Sequence, residues 1–435
     1  MKSRISITLL LTSILTAQTL HPMNVSAADF WSLPVSEDLS RPIDDFGREI
    51  NDLSDEIDRD VKQYIVTFKD SIGDIGAPLE DAKTRLGIRP SLLYSRALKG
   101  FSAPLDDTQM TALQNDSRIA SISEDRAVHI LYQAVPTGIE RIGAYNSSSG
   151  GGEGVGVAIL DTGVQLNHPD LQANITVGKS CISGAKSPTD DNGHGTHVAG
   201  IIAALNNTIG VVGVAPKAHI IPVKVLNRRG SGTWSTVICG IDWITANATR
   251  LGIKVVNMSL GGVGSSDNNC GKTNNDPLHA AICRSRDAGI TYVAAAGNEA
   301  TDSARTIPAA YDDAVITVSA LVDTDGVPDG LGDLTFYGLD DTFATFSNYG
   351  SAIDFGAPGV DITSTWLSGT YRTLSGTSMA SPHVAGAAAI YVQTHPTSTW
   401  AYVRDGLRAH AEMREEGHTD LFDRHPEPVV QTSEL

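Results

Sequence analysis

Apolar and polar positions along the chain follow one pattern in its first third and a different one afterwards. In the earlier part, short strand-like runs with period-two alternation accompany two helix-like stretches. The strand-like runs are 63–68, 119–122 and 127–131, and the helix-like runs are 81–86 and 108–113. This arrangement predicts a compact α+β domain over residues 62–131.

From residue 132 onward, apolar strand-like runs alternate with amphipathic helical runs. The strand-like runs are 156–160, 220–226, 255–260, 291–296 and 315–321. The helical runs between the first four of them are 197–205, 235–246 and 278–286. Such alternation predicts an α/β domain over 132–410, with a mainly parallel sheet and helices on both faces. Functional residues are then expected at the carboxyl ends of the strands.

The two ends of the chain have different patterns. Lys2 and Arg4 precede an apolar run at 5–15 and small residues at 25–28, which is the order of a secretory signal peptide. We therefore expect residues 1–27 to be a signal peptide and the protein to be secreted, with a short buried helix as the alternative. Residues 411–435 are charged and lack an apolar face, which predicts a flexible C-terminal tail.

Charge and hydropathy exclude some classes of partner. The chain of 435 residues has a net charge of -18, whereas nucleic-acid binding requires a basic surface. Residues 28–61 carry much of this charge without sustained periodicity, which is typical of an acidic, solvated spacer. After the N-terminus no apolar run reaches the roughly 18 residues of a membrane-spanning helix. We expect neither nucleic-acid nor membrane partners.

Four cysteines in an exported chain indicate two disulfides, for which three pairings exist. Cys270 and Cys283 flank a loop rich in Asn, Gly and Lys, which favours a local bridge. Cys181 and Cys239 would then pair across a longer loop. The alternative is free buried thiols, and the absence of C-x-x-C spacing argues against a zinc site.

Three glycine-flanked motifs contain the candidate catalytic residues. The first ends an apolar strand in Asp161-Thr-Gly163. Aspartic peptidases also use Asp-Thr-Gly, but they need a second such motif, which the chain lacks. The second is His194-Gly-Thr-His197. Its two histidines do not have the His-Glu-x-x-His spacing of zinc peptidases.

The third motif, Gly376-Thr-Ser378-Met-Ala, leads into an alanine-rich helix. Backbone N–H groups at a helix start favour negative charge, which suits a serine nucleophile, although Ser378 could equally be only a helix cap. Serine becomes reactive when a base takes its proton and a carboxylate orients that base. Asp161, His194 and Ser378 together fulfil this requirement.

These three motifs resemble the signatures of the subtilisin-like serine peptidases, with the proteinase K-like branch as the closest match. The resemblance covers roughly residues 132–400. It implies a subtilisin-like fold and a serine endopeptidase with Asp161, His194 and Ser378 as the catalytic triad. It also implies that Asn298, after Ala294-Ala-Ala-Gly297, stabilises the oxyanion, whereas the alternative is a residue that supports a turn.

The resemblance further implies a substrate cleft with two walls that pair with an extended peptide. The wall residues are Ser259, Leu260 and Gly261 on one side and Ala295, Ala296 and Gly297 on the other. Small uncharged walls predict broad or apolar specificity for the residue before the scissile bond. We expect protein or peptide substrates and a monomeric enzyme.

Residues 62–131 resemble the inhibitory propeptide of this family, which assists folding and occupies the cleft. We expect autocatalytic cleavage near 131–136, with a permanent accessory domain as the alternative. The chemistry requires no cofactor. Structural calcium is common in the family, and Asp323, Asp325, Asp340 and Asp341 offer oxygen ligands. The register is not that of an EF-hand, because Leu334 stands where a glutamate is needed.

Two other classes of function compete with this interpretation. A catalytically silent member of the same fold would bind peptides, although nothing in the sequence favours it, since all four catalytic positions hold competent residues. Another serine hydrolase such as a lipase would need a Gly-x-Ser-x-Gly elbow, which the sequence around Ser378 lacks.

Overall fold

The protein is described by a computed structural model that covers residues 62–125, 133–145, 150–328 and 330–435. These residues form two compact units, one on each side of the gap at 126–132. The signal peptide, the acidic spacer, the strand expected at 127–131 and residues 131 and 132 of the expected cleavage region lie outside the described residues.

The first unit is an antiparallel sheet with two helices. Its strands are β1 (Lys62–Phe68), β2 (Leu92–Tyr94), β3 (Gly100–Leu105) and β4 (Ile119–Glu124), and its helices are α1 (Gly76–Leu86) and α2 (Asp107–Gln114). The strand order is β2-β3-β1-β4. Val66, Phe101 and Leu113 are buried in its core. The pattern had predicted β1, β4 and both helices, but not β2 or β3.

The second unit is built on a seven-stranded sheet in which all neighbouring strands run parallel. The strand order is β13-β12-β10-β8-β5-β7-β6. The bounds are β5 (Gly156–Asp161), β6 (Lys179–Ser180), β7 (His219–Lys224), β8 (Ile253–Met258), β10 (Thr291–Ala295), β12 (Ile316–Leu321) and β13 (Phe355–Pro358). Two short pairs complete the strands: β9 (Gly262–Val263) with β11 (Thr306–Ile307), and β14 (Ile362–Thr365) with β15 (Tyr371–Leu374).

Helices cover both faces of this sheet, which confirms the predicted α/β fold. They are α3 (Thr137–Arg141), α4 (His194–Ala203), α5 (Trp234–Leu251), α6 (Pro277–Asp287), α7 (Thr377–Thr394) and α8 (Trp400–Ala409). Val157 and Ile159 share a core with α4, α7 and α8, whereas Ala158 and Leu160 share another with α5 and α6. Alternate residues of β5 therefore face opposite layers, and the strand is apolar throughout because both faces are buried.

The two predicted disulfides are present. Cys181 pairs with Cys239, which lies in α5, and Cys270 pairs with Cys283, which lies in α6. Both bridges fasten a loop to a helix on the same face of the sheet. Within the described residues, no helix is both long enough and apolar enough to cross a membrane.

The prediction of a flexible tail is wrong for much of residues 411–435. Val429 and Val430 are fully buried, and Val430 N donates to Gly356 O at 3.0 Å beside β13. Thr432 N donates to Ile142 O at 2.8 Å. Backbone hydrogen bonds, polar side chains such as half-buried Glu412 and buried Glu427, and the two adjacent valines hold the segment, and this mixture produces no periodic apolar face in the sequence.

Candidate active site

Asp161 and His194 form a hydrogen-bonded pair at the carboxyl edge of the sheet. Asp161 is the last residue of β5 and is fully buried, and His194 is the first residue of α4. The imidazole Nδ1 lies 2.8 Å from Asp161 Oδ1 and 2.9 Å from Oδ2. Among the described residues, the other imidazole nitrogen, Nε2, has no hydrogen-bond partner. Nδ1 therefore carries the proton shared with the carboxylate, and Nε2 can act as a base.

The start of α4 is fixed by a buried carboxylate and two glycines. Asp190 accepts from Gly193 N at 3.0 Å through Oδ1 and from Thr196 N at 3.0 Å through Oδ2. Gly193 adopts φ 114°, which favours glycine. A Cβ on Gly195 would lie 2.2 Å from Gly163 O. Only glycine at this position lets α4 approach the end of β5 closely enough for the pair to form.

The environment of His194 makes its imidazole a stronger base. Burial alone would lower the pKa of His194, but the charge and hydrogen bond of Asp161, with the charge of Asp190, outweigh it. The net result is a pKa raised above the ordinary 6.5. The carboxylates therefore stabilise the imidazolium that would form when His194 accepts a proton.

Ser378 lies in the first turn of α7 and is half-buried. Its Oγ donates to Ser259 O at 3.5 Å, and its carbonyl oxygen accepts from Ser259 Oγ at 2.8 Å. Within the part of the chain that the structure describes, Ser378 Oγ makes no hydrogen bond with His194. Catalytic hydrogen bonds are often long or misaligned without substrate, so this geometry is compatible with a serine nucleophile.

Asn298 is exposed and its amide has a defined orientation. Its Oδ1 accepts from Thr377 N at 2.8 Å and from Thr377 Oγ1 at 2.9 Å. Its Nδ2 makes no hydrogen bond with any described residue, so this donor is free for a ligand beside the start of α7. The predicted oxyanion residue thus lies against the helix that carries Ser378.

A cavity of about 690 Å³ begins at His194 and extends along the predicted cleft. Ser259, Leu260 and Gly261, which the resemblance assigns to one wall of the substrate cleft, line it. Its other lining residues are Thr162, Asn192, Leu226, Gly230, Ser231, Gly232, Thr233, Trp234, Val237 and Gly262. The second predicted wall, 295–297, does not contribute to this cavity. Ala295 and Ala296 are buried, and Gly297 N donates to Thr377 Oγ1 at 3.1 Å.

The structure also tests His197 as a metal ligand. His197 Nε2 lies 2.9 Å from Arg372 O, and burial is the main cause that lowers its pKa to about 4. Among the described residues, neither His194 nor His197 belongs to a group with ligand atoms close enough to share a metal ion. The two histidines have separate partners.

Sequence reasoning missed Asp190 and Thr377, which position His194 and Asn298. A signal existed for Asp190, because carboxylates and amides just before a helix start, here Asp190-Asp-Asn-Gly193, often accept from its unpaired backbone N–H groups. No local signal identified Thr377, because its partner Asn298 lies 79 residues earlier in the chain.

Comparison with known proteins identifies the family of the chain. The model of the Subtilase family matches residues 152–426. The chain belongs to the Subtilase family. Subtilisin NAT of Bacillus subtilis subsp. natto and Subtilisin E of Bacillus subtilis (strain 168) are each 40% identical to it over 357 residues, covering 80% of this chain and 85% of the relative.

Further relatives agree with this assignment. An alkaline protease of Shouchella clausii is 41% identical over 324 residues, covering 74% of this chain and 76% of the relative. The crystal structure of a cold adapted subtilisin-like serine proteinase is 34% identical with a TM-score of 0.56, covering 68% of this subtilase and 97% of that chain. This subtilase is therefore a serine endopeptidase with a subtilisin-like fold, of a family that needs no cofactor for catalysis.

Proposed function

We propose that this subtilase is a secreted endopeptidase with Asp161, His194 and Ser378 as its catalytic triad and Asn298 as its oxyanion donor. The observation that carries the proposal is the hydrogen bond between buried Asp161 and His194 at the edge of the substrate cavity. Ser378 is linked to the same cavity through Ser259, which lines it.

In the proposed mechanism, substrate binding turns Ser378 Oγ from Ser259 O toward His194 Nε2. Nε2 takes the hydroxyl proton as Oγ attacks the peptide carbonyl, and Asp161 stabilises the imidazolium. The oxyanion accepts from Asn298 Nδ2 and from Ser378 N, a first-turn amide that has no partner within its helix. His194 then gives its proton to the leaving amine, and water hydrolyses the acyl-enzyme by the same steps.

The cavity supports a broad or apolar substrate preference. Its lining residues include no Asp, Glu, Lys or Arg, and Leu226, Trp234 and Val237 supply apolar surface. Gly261 is exposed, so an extended peptide could pair with its backbone as an added strand. A charged substrate side chain would find no opposite charge in this cavity, so we propose that the enzyme cleaves protein substrates at apolar or varied sequences. We also propose that the enzyme is a monomer.

We also propose that the chain is a precursor, with a signal peptide at 1–27 and an inhibitory propeptide at 62–131. The compact sheet and helices of 62–125, and the alignment of subtilisins with 80% of the chain, support a propeptide followed by a catalytic domain. The relatives reported above are subtilisins and an alkaline protease, and they give no support to placement nearest the proteinase K-like branch.

The intact mass of the secreted wild-type chain, compared with Ser378→Ala, tests the mechanism and the precursor together. We expect the wild type to lose the segment up to about residue 131–136, because its own Ser378 cleaves it. Ser378→Ala should keep that segment and show peptide hydrolysis lower by about 10⁶-fold, the effect of removing the nucleophile in subtilisin.

Ser375→Ala is the matched control. Its hydroxyl donates to Asp361 Oδ1 at 3.1 Å outside the proposed triad, so this variant should be trimmed like the wild type. Equal trimming of all three chains would contradict self-cleavage, and unchanged hydrolysis by Ser378→Ala would contradict the assigned nucleophile. Absence of trimming in all three would contradict the propeptide.

A further inference from the structure

A hairpin of two short strands lies against α4, the helix that begins with His194. Its strands, β14 and β15, pair antiparallel, and Ser364 stands opposite Arg372. Ser364 Oγ donates to His197 O at 2.7 Å, and Arg372 O accepts from His197 Nε2 at 2.9 Å. Two hydrogen bonds with one residue of α4 therefore fix the position of the hairpin beside the catalytic histidine.

Trp366, directly after β14, covers the residue that precedes His194. A Cβ on Gly193 would lie between 2.3 and 2.6 Å from three atoms of the indole ring. The centroid of the same ring lies 6.3 Å from that of the His197 ring. Trp366 is half-buried, and the described residues that line the cavity at His194 do not include it. The indole thus forms a second surface next to His194, separate from the cavity.

The position of this surface matches the path of the leaving part of a substrate. With the acyl part of the peptide in the cavity, the chain beyond the scissile bond must continue outside the cavity. The hairpin lies outside it and next to both catalytic residues, since Trp366 lies on Gly193 and β15 ends four residues before Ser378. The hairpin is therefore available to the residues that follow the scissile bond.

Arg372 provides a positive charge on this surface. Its guanidinium carbon lies 4.8 Å from the centroid of the Trp366 ring, which is a cation–π contact. Arg372 is exposed, and within the part of the chain that the structure describes no carboxylate pairs with it. Burial is the main cause that lowers the pKa of His197, and the charges of His194 and Arg372 add to this effect. The charge of Arg372 therefore acts at α4 and is free to bind an anion.

We propose that Arg372, stacked on Trp366, binds the carboxylate of an Asp or Glu side chain at the second or third residue after the scissile bond. The inference rests on the proposed function, because it requires the acyl part of the substrate to occupy the cavity. An extended peptide advances about 3.3 Å per residue, so these residues would pass Trp366 and reach the guanidinium.

The chemistry of the two side chains suits this role. A guanidinium presents a planar fork that can donate two parallel hydrogen bonds to one carboxylate. Stacking on the indole holds this plane in advance, so less side-chain freedom is lost on binding. The cavity, whose lining residues include no Asp, Glu, Lys or Arg, sets an apolar or broad preference before the scissile bond. Arg372 adds an acidic preference after it.

The test measures hydrolysis of internally quenched peptides by the active, self-processed wild-type enzyme. The peptides share all residues before the scissile bond, have amidated C-termini, and carry Asp, Asn or Lys at the second or the third residue after it. Mass spectrometry identifies the bond that is cleaved. At one of the two positions, kcat/KM for the Asp peptide should exceed that for the Asn peptide by about two- to fivefold, the range of an exposed ion pair.

Salt and substitutions identify the group that causes this preference. High salt should reduce it, because exposed charges are screened. Arg372→Gln should abolish the preference for Asp over Asn and leave hydrolysis of the Asn peptide unchanged, and Arg372→Glu should favour the Lys peptide instead. Arg250→Gln is the matched control, because Arg250 is an exposed arginine in the last turn of α5, far from His194 along that helix. It should keep the wild-type preference.

The uncharged Asn peptide separates failure of this proposal from failure of the proposed function. If the wild type cleaves the Asn peptide but shows no preference for Asp, only the role of Arg372 is overturned. The same ratio of Asp to Asn hydrolysis in the wild type and in Arg372→Gln would overturn it as well, and so would an equal loss of preference in Arg250→Gln. If none of the peptides is cleaved, the proposed function is contradicted together with this subsite.

Discussion

At the scale of single residues, the site depends on how each reactive group is oriented. Asp161 fixes Nδ1 of His194, and Thr377 fixes Oδ1 of Asn298. In both cases one end of the side chain is held by the protein, and the other end is left for the substrate. Such orientation before binding lowers the reorganisation required in the transition state.

The dependence of activity on pH should report the pKa of His194. Because Asp161 and Asp190 raise that pKa, the acid limb of kcat/KM should have its midpoint above 6.5. The neutral imidazole is the base, so activity is lost as the pH falls through the raised pKa. Asp161→Asn should move the limb to lower pH and reduce kcat by about 10⁴-fold, and rates measured from pH 5 to 9 would show both changes.

Asp242→Asn is the matched control, because it removes an exposed carboxylate on α5. It should leave the pH dependence of kcat/KM unchanged. The assignment of His194 as the base would be contradicted by an acid limb that is the same with and without the Asp161 carboxylate.

Asn298→Ala should lower kcat by about 10²–10³-fold with little change in KM, as for this donor in subtilisin. The amide would contribute only when negative charge develops on the carbonyl oxygen. Asn298→Asp is the informative companion, because it keeps an oxygen for Thr377 but replaces the N–H donor. Steady-state kinetics should show a similar loss in both variants. Retained activity in Asn298→Asp would mean that Asn298 only supports the turn.

At the scale of elements, one backbone hydrogen bond is missing in α7, and this leaves the carbonyl oxygen of Ser378 available to a residue outside the helix. Pro382 lacks an N–H group, so the carbonyl of Ser378 has no helical partner four residues later. Ser259 Oγ donates to that carbonyl, and Asn257 Nδ2 donates to Ser259 Oγ at 2.9 Å. Ser381 Oγ in turn donates to Asn257 Oδ1 at 2.7 Å. The end of β8, one wall of the cavity and the start of α7 are thereby joined.

The strand-to-helix connections explain why short local motifs could predict which residues meet at the active site. Parallel strands place their carboxyl ends at one edge of the sheet, so Asp161 at the end of β5 and Asn298 after β10 were expected at the same edge. Strand-like runs 156–160 and 291–296 correspond to β5 and β10 within one residue at each end. The predicted helix 197–205 began three residues late, because glycines around His194 obscure the helical pattern.

At the scale of the whole molecule, a buried charge cluster joins distant parts of the second unit. Arg141, in α3, is fully buried and bonds to Asp341 and to Glu412, 200 and 271 residues later. His418 adds a hydrogen bond to Glu412 at 2.8 Å. The segment after α8 therefore packs as part of the fold.

Glu412→Gln should destabilise the protein by about 3–5 kcal/mol, because it leaves buried Arg141 short of a charge partner. Burial tends to raise the pKa of Glu412, but His418 and Arg141 outweigh it, so the pKa is lowered. The stabilisation from ionised Glu412 is therefore fully present above the pKa that this residue has in the unfolded chain. It is lost as the pH falls through the lower pKa that the residue has in the folded protein. Urea unfolding of the Ser378→Ala protein, with and without Glu412→Gln, measures the loss of stability, and repeating it at lower pH measures the pH dependence.

Glu415→Gln is the control, since its partner Arg414 is on the surface, and it should change stability by less than about 0.5 kcal/mol. An equal, small effect of both substitutions would contradict a structural role for the cluster at Arg141.

The sequence by itself determined the parallel α/β sheet, the disulfide pairing favoured by the composition of the 270–283 loop, and the candidate residues Asp161, His194 and Ser378, while the family resemblance added Asn298. These conclusions depend on short motifs, on the periodicity of neighbouring residues and on the rule that parallel strands end at one edge. The tertiary structure alone decided the packing of residues 411–435, the cavity that excludes 295–297, and the cluster of buried Arg141 with Asp341 and Glu412. Each of these depends on contacts between residues far apart in the chain, and such contacts leave no periodic or local trace in the sequence.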